Sequence, residues 1–522
     1  MEKKIAYPLG IQTFEEIRKD DYLYIDKTEL IYELVNQNKY VFLSRPRRFG
    51  KSLLLSTIQA YFEGRKELFE GLAISEFETE WKQHPVIRID FTGASYESKD
   101  KLLDNLDISL SKYETLYGLE NSSNLSMSSR FTLIIEKAYN VSNKTKVVIL
   151  IDEYDKPLQD SLHDDQLNES HRTELQGFYS VLKKCDEYIR FGLLTGVGKF
   201  GHVSIFSGLN NLTDISMERE FNSICGISES EFREYFPESV RQFAAANDMT
   251  EDEVWDRFRK TYDGYHFSKA KEGIYNPFSV LQAFRKKEFG EYWFRTGTPS
   301  FLTKVLKEID YPLPELEGCM ESASDLSDIS NPRQNIVAML FQTGYLTIKG
   351  YDEDWDEYEL GYPNEEVRKG FTQYLYKYYV LPENKGTGSF DMRAFVTELN
   401  EGKAEEFMLR LQSFIADITP GQETKKEIHF QNNLYVIFRM LGLRVAVEIP
   451  SAAGRSDMEV KTDGYVYIFE FKINSMAEAA LEQIKEKGYA DPYKADSREV
   501  FLIGANFSTD TGKLETFIIE KL

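Results

Sequence analysis

The chain has 522 residues, 42% of them hydrophobic and 14% aromatic, enough for roughly two to four domains with cores of their own. Its net charge is −23, from 63 Lys+Arg against 86 Asp+Glu, which excludes a protein coated in nucleic-acid affinity and leaves room only for a local groove. No apolar run approaches the roughly 18 residues of a membrane helix, the opening "MEKKIAYPLGIQTFEEI" has no apolar signal core, and Cys185, Cys225 and Cys319 lack metal or disulfide spacing, so a cytoplasmic protein without a membrane partner is expected.

Over the first ~200 residues, short apolar runs alternate with longer amphipathic stretches. "YVFLS" (Tyr40–Ser44), "PVIRIDF" (Pro85–Phe91), "KVVILID" (Lys146–Asp152) and "IRFGLLTG" (Ile189–Gly196) read as buried strands with helices between them, the pattern of a parallel α/β sheet. The first strand runs into "RPRRFGKS", and "LLLSTIQAYF" continues as a helix. That is the context of a phosphate loop, in which the helix N-terminus offers unpaired N–H groups and the positive end of its dipole. Gly50 lets the backbone approach a phosphate closely, Lys51 can reach the terminal phosphates of ATP, and Ser52 can bind Mg²⁺. Arg45 stands where the first glycine of such loops belongs, and Pro46 stiffens the approach. Arg45, Arg47 and Arg48 are candidates to neutralise phosphate charge, or for one to act on a neighbouring subunit of a homo-oligomer; a solubilising cluster is the alternative reading.

"VVILIDEYD" supplies the partner of that loop: five apolar residues, then Asp152 and Glu153, a Walker B pattern at the C-terminal end of a buried strand. Asp152 would hold Mg²⁺ through water, and Glu153 is the candidate base for the attacking water. Thr195, at the polar end of "FGLLTG", is either a water-positioning sensor or a structural threonine. From about Ser228 to Tyr345 the pattern is mainly helical and carries no nameable chemistry; the acidic "YDEDWDEYEL" (Tyr351–Leu360) reads as a solvated loop or edge. Domains are expected at 1–225, 226–385 and 386–522.

In the last part, "DG" (Asp463–Gly464) signals a hairpin turn. With those two residues as the loop, Thr462 pairs with Tyr465, and counting outward sets Asp457 opposite Glu470. Alternation puts Glu470 and Lys472 on one face, with Tyr467, Phe469, Phe471 and Ile473 packing inward on the other. Two carboxylates and a lysine at one strand end suit phosphodiester hydrolysis with Mg²⁺ or Mn²⁺: Asp457 and Glu470 as metal ligands, Lys472 to orient the nucleophile or steady the transition state. "KKEIHFQNNLYVIFRMLG" reads as a preceding helix whose Glu427 either completes the metal site or is an ordinary first-turn glutamate. "AALEQIKEKGYAD" reads as a following helix, with Gln483 and Lys487 on one face.

Eight segments, "DYLYIDKTELIYELV", "SRPRRFGKS", "VVILIDEYDKPL", "FSGLNNLTDIS", "YDGYHF", "YNPFSVL", "FQTGYLTI" and "YPNEEV", occur in the order in which they stand in the AAA-ATPase-like family of bacterial proteins, which the chain resembles over nearly its whole length. In that family a P-loop ATPase module precedes a PD-(D/E)XK nuclease-like domain, and the arginine-led loop is the family's own form of the phosphate loop. The resemblance implies an AAA-like parallel-sheet domain, a helical middle region and a C-terminal restriction-endonuclease-like α/β domain. It implies contact of Gln483 and Lys487 with a nucleic-acid backbone, DNA before RNA. The leading expectation is an ATPase fused to a Mg²⁺-dependent nuclease, in defence or mobile-element biology; the alternative is an ATP-driven switch whose C-terminal domain recognises nucleic acid or protein without cutting.

Overall fold

The computed structural model describes the chain apart from residues 1–4, 120–123, 201–204, 207–208, 210, 298–304, 307–310, 328, 330–334, 380–391, 419–426, 443–445 and 449–456; of residues 297, 378–379, 417–418, 427–429 and 446–448 it describes only the backbone. The chain divides into two units, one formed by Met1–Phe301 with Met320–Val367 and the other by Leu302–Cys319 with Arg368–Leu522.

The first unit is built on five parallel strands, β1 (Tyr40–Ser44), β2 (Val86–Asp90), β3 (Val147–Asp152), β4 (Ile189–Gly196) and β5 (Leu212–Asp214), in the order β2-β3-β4-β1-β5. Every residue of β1 and β3 is buried, which is why both read as unbroken apolar runs. The register sets Ser44 opposite Gly196 and Asp90 opposite Asp152. The C-terminal strand ends therefore share one edge, with the order reversing at β1, the place where open α/β sheets bind ligands. Helix Lys51–Phe62 packs on β3, while Lys99–Tyr117, Met127–Val141 and Asp165–Lys184 pack together. Ser98, Ser126 and Asp164 cap those three helices by accepting first-turn N–H groups.

Helices Glu229–Tyr235, Pro237–Asn247, Glu251–Tyr262 and Pro277–Lys286 follow, the first and third opened by capping boxes at Ser228/Glu231 and Thr250/Glu253. A two-stranded ribbon, β6 (Ile227–Ser228) with β7 (Ile274–Tyr275), ties their ends together. Their core is aromatic, with Phe232 and Phe284 each in ring contact with both Phe236 and Phe258. Three antiparallel strands were not foreseen: β8 (Met320–Ser322), β9 (Thr347–Asp352) and β10 (Glu357–Gly361), ordered β8-β10-β9. The acidic stretch is the β9–β10 hairpin, with Trp355 exposed in the turn.

The second unit carries five strands in sequence order: β11 (Ala446–Glu448), β12 (Met458–Lys461), β13 (Tyr465–Ile473), β14 (Glu499–Ser508) and β15 (Lys513–Lys521). Only β13 and β14 are parallel, and helix Ala477–Glu486 connects them. One sheet face packs Val466 and Ile468 against Leu481 and Ile484 of that helix. The other sets Phe469 against Phe407 and Phe438, from helices Ala404–Ile418 and Glu427–Leu441.

One buried acid in the first unit carries a measurable consequence. Glu366 is 2% exposed and accepts the Trp293 N–H at 2.7 Å, and burial pushes its pKa up to about 8 from an ordinary 4.5 against its hydrogen bonds to Ser279, Trp293 and Phe294. Between those values the folded chain keeps a proton that the unfolded chain has released, so this group's contribution to stability falls as pH rises. Glu366→Gln should flatten that decline, its thermal midpoint gaining on the wild type between about pH 5 and about pH 9; parallel curves for the two proteins would refute the account.

Candidate functional site

After Ser44 the chain turns through residues 45–50 into helix Lys51–Phe62. Arg48 has φ +68° and Gly50 φ +98°. Left-handed residues in such a turn make a concavity of backbone N–H groups suited to anions. A Cβ at Gly50 would meet nothing within 4 Å, so its backbone angle, rather than crowding, calls for glycine. Among the described residues no protein group accepts the N–H of Arg48 or of Gly50. The loop carbonyls, by contrast, are all but one engaged. Lys51 Nζ donates to the oxygens of Arg45 (2.8 Å) and Pro46 (3.1 Å), the Trp293 indole donates to Arg47 O (2.9 Å), and Gly226 N–H donates to Phe49 O (3.0 Å). Burial lowers the pKa of Lys51, opposed by the nearby Glu153, Asp152 and Asp155. Ser52 lies half-buried in the helix's first turn.

The arginines divide. Arg45 does not face the concavity: it is 1% exposed and its guanidinium donates to the carbonyls of Ser44, Ser216 and Phe221 while lying 4.3 Å from the Phe267 ring centroid. The residue in the place of the first glycine is thus a buried bolt, and the solubilising reading fails for it. Arg47 donates to Gln159 (3.1 Å), and Arg48 lies 5.2 Å from the Phe278 ring centroid. Pro46 abuts Gly344, where an added Cβ would come within 2.7 Å of Pro46 Cγ.

At the end of β3 the Asp152 carboxylate is fully buried. Thr195 Oγ1 donates to its Oδ1 at 2.8 Å and Arg88 approaches Oδ2 at 3.5 Å, so Thr195 and Asp152 are brought together. Glu153 follows with φ +52°, half-buried and without a side-chain hydrogen bond among the described residues. Burial raises its pKa, with Lys51 pulling the other way. Three contributors were missed from sequence. Asp155 is buried and accepts the N–H groups of Val197 and Gly198 and the amide of Gln159, which in turn accepts from Arg47. The signal was the last acid of "DEYD" and a glutamine four residues on; for Arg88 it was an arginine inside an apolar strand. Beside Gly50 opens a mostly apolar cavity of about 100 Å³, lined by Leu23, Ile25, Leu53, Cys225, Ile227 and Leu281, among others.

In the second unit the hairpin register is the expected one: Met458 pairs with Phe469 and Lys461 with Val466, which carries Asp457 opposite Glu470. Phe471 N–H donates to Asp457 Oδ2 (2.8 Å), and Asp457 N–H lies 3.4 Å from Glu470 Oε2. Lys472 Nζ lies 3.2 Å from Glu470 Oε1, which also accepts the Gln483 amide; Lys472 donates to Gln483 as well. Glu470, Lys472 and Gln483 therefore form one triangle, with Asp457 at its side. Glu470 does not lie on an open strand face, as the alternation suggested, but is 2% exposed under helix Ala477–Glu486. The reason is Gly504, its neighbour across β14: a Cβ there would fall 2.5 Å from Ala477 O and 2.6 Å from Leu481 N, so the helix backbone lies almost on the sheet. Burial first, and then the Asp457 carboxylate, raise the Glu470 pKa against Lys472. Burial raises that of Asp457, opposed by the Phe471 N–H and by Lys472. Lys487 caps the helix beyond Gln483 and is exposed. Glu427 begins helix Glu427–Leu441, but its side chain lies outside the described residues.

Comparison with known proteins follows this division. The family model described as "Predicted AAA-ATPase" matches residues 8–206, and that of the "PD-(D/E)XK nuclease superfamily" matches 425–517. Over 534 aligned residues, 99% of each chain, the sequence is 37% identical to an Azotobacter chroococcum mcd 1 protein described as "Uncharacterized protein in vnfD 5'region". No helix among the described residues is long and apolar enough to cross a membrane. With a full-length relative at that identity and both family models in the expected order, the chain belongs to the AAA-ATPase-like family of bacterial proteins with a C-terminal PD-(D/E)XK nuclease-like domain.

Proposed function

We propose that the first unit binds and hydrolyses ATP and that the second cleaves nucleic acid, DNA before RNA, in the cytoplasm. The observation that carries the first half is the set of unclaimed loop N–H groups beside Lys51, Asp152 and Glu153. Those donors and the lysine fit a polyphosphate, and the apolar cavity beside Gly50 suits its base. Ser52 and Asp152 are hard oxygen ligands that would hold Mg²⁺, which supplies charge neutralisation at the phosphates. Lys51 leaves the loop carbonyls for the terminal phosphates. Thr195 holds the Asp152 carboxylate in place, and Glu153, its pKa already raised, takes a proton from the attacking water.

For the second half the supporting observation is the pairing of Asp457 with Glu470 beside Lys472. Two carboxylates, of which Asp457 adds to the rise in the Glu470 pKa, favour a divalent cation between them, and Mg²⁺ or Mn²⁺ bound by one or two carboxylates plus water is ordinary coordination. Such an ion would lower the pKa of a bound water and offset phosphate charge. Gln483 fixes Glu470 and Lys472, Lys472 orients the nucleophile, and Lys487, exposed at the end of the same helix, contacts a backbone phosphate.

Lys51→Ala should weaken ATP binding, whereas Glu153→Gln should keep binding and slow hydrolysis by about 10²–10⁴-fold. In the wild type, the acid limb of the pH–rate profile should lie above the ordinary glutamate range. Hydrolysis by Glu153→Gln at the wild-type rate would remove Glu153 as the base.

Asp457→Ala and Glu470→Ala should each abolish cation-dependent cleavage of plasmid DNA while ATP hydrolysis continues. Robust cutting by the double variant, purified free of contaminating nuclease, would end the second assignment.

A further inference from the structure

Two carbonyls of the phosphate loop, those of Arg47 and Phe49, are held by groups far along the chain, which fixes the direction of the N–H groups that follow them. In a planar trans peptide the C=O and the following N–H point in opposite directions. With Arg47 O drawn to the Trp293 indole, the Arg48 N–H is aimed away from Trp293; with Phe49 O drawn to Gly226, the Gly50 N–H is aimed away from Gly226. Neither of these N–H groups has a protein acceptor among the described residues. We propose that Trp293 is a positioning residue of the nucleotide site: its indole N–H, together with the Gly226 N–H, turns the loop's peptide groups so that the Arg48 and Gly50 N–H groups face the β- and γ-phosphates. This rests on the reading of the loop as an ATP site.

Trp293 is placed to do this. It is 1% exposed, its own N–H is fixed by Glu366 Oε1 and by Ser279 Oγ (3.2 Å), and its ring packs against Tyr345 (5.5 Å between centroids). Phe49, in the middle of the loop, is wedged edge-on between Tyr265 (4.8 Å) and Phe267 (5.4 Å), which limits rotation of the same peptides. A loop whose first glycine is replaced by a buried arginine has less freedom to find this arrangement alone, and the outside donors supply it.

The test uses the full chain with Trp293→Phe, which keeps an aromatic ring and deletes the N–H. One lost hydrogen bond should weaken ATP binding by about three- to tenfold. Affinity for AMP, which lacks the β- and γ-phosphates, should stay within twofold of the wild type by the same argument (roughly no change). Merely loosened packing would instead weaken both ligands together. Equal losses for ATP and AMP, or no loss for either in a folded protein, would overturn the inference while leaving ATP binding by the wild type intact. Failure of the wild type to bind ATP would overturn the nucleotide reading and this inference with it. If Trp293→Phe does not fold, 3-benzothienylalanine at position 293, which matches the indole in shape but has no N–H, is held to the same two affinities.

Discussion

The hydrogen bonds from Trp293 and Gly226 to the carbonyls of Arg47 and Phe49 tie the loop after β1 to the chain beyond β5. A phosphate loop must present N–H groups to its ligand and turn its carbonyls elsewhere, and buried carbonyls need donors. Lys51 serves two of them, and on the proposed ATP reading it is the one donor that leaves. The donors from Trp293 and Gly226 are independent of the lysine, so its departure does not require the loop to lose them.

That requirement gives the region after β5 a physical role. Tyr265 and Phe267 of "YDGYHF" hold Phe49, Phe278 of "YNPFSVL" lies over Arg48, Gly344 of "FQTGYLTI" abuts Pro46, and Glu366 of "YPNEEV" fixes Trp293. Segments that look unrelated in the sequence thus meet at one short loop. Arg45 extends the same logic, because a guanidinium shared among three carbonyls and an aromatic face joins the loop to the chain after β5 at a place where a glycine would join nothing.

In the second unit the constraint is proximity. Gly504 lets helix Ala477–Glu486 settle on the sheet, which brings Gln483 to Glu470 and takes the carboxylate out of water. A buried glutamate beside Asp457 and Lys472 is poised: burial and like charge press it to keep a proton, while the lysine and any cation press the other way. Its chemistry therefore depends on what else enters the site, which an exposed strand-face carboxylate would not show.

Sequence alone determined the four long strands of the first sheet to within a residue or so, the phosphate-loop setting, the acidic end of β3 and the hairpin register that sets Asp457 against Glu470. Each depends on neighbours in the chain: an apolar run, a glycine before a helix, a two-residue turn from which pairs are counted outward. The tertiary structure alone decided that Arg45 points inward, that Glu470 is covered, that Asp155, Gln159 and Arg88 join the site, and that β8, β9 and β10 form a sheet. The partners that settle the loop lie 171 residues from Arg45 at Ser216 and 246 residues from Arg47 at Trp293. No periodicity or turn chemistry encodes a contact across such a separation, because the chain entropy lost in closing it is repaid only by the packing of the whole unit.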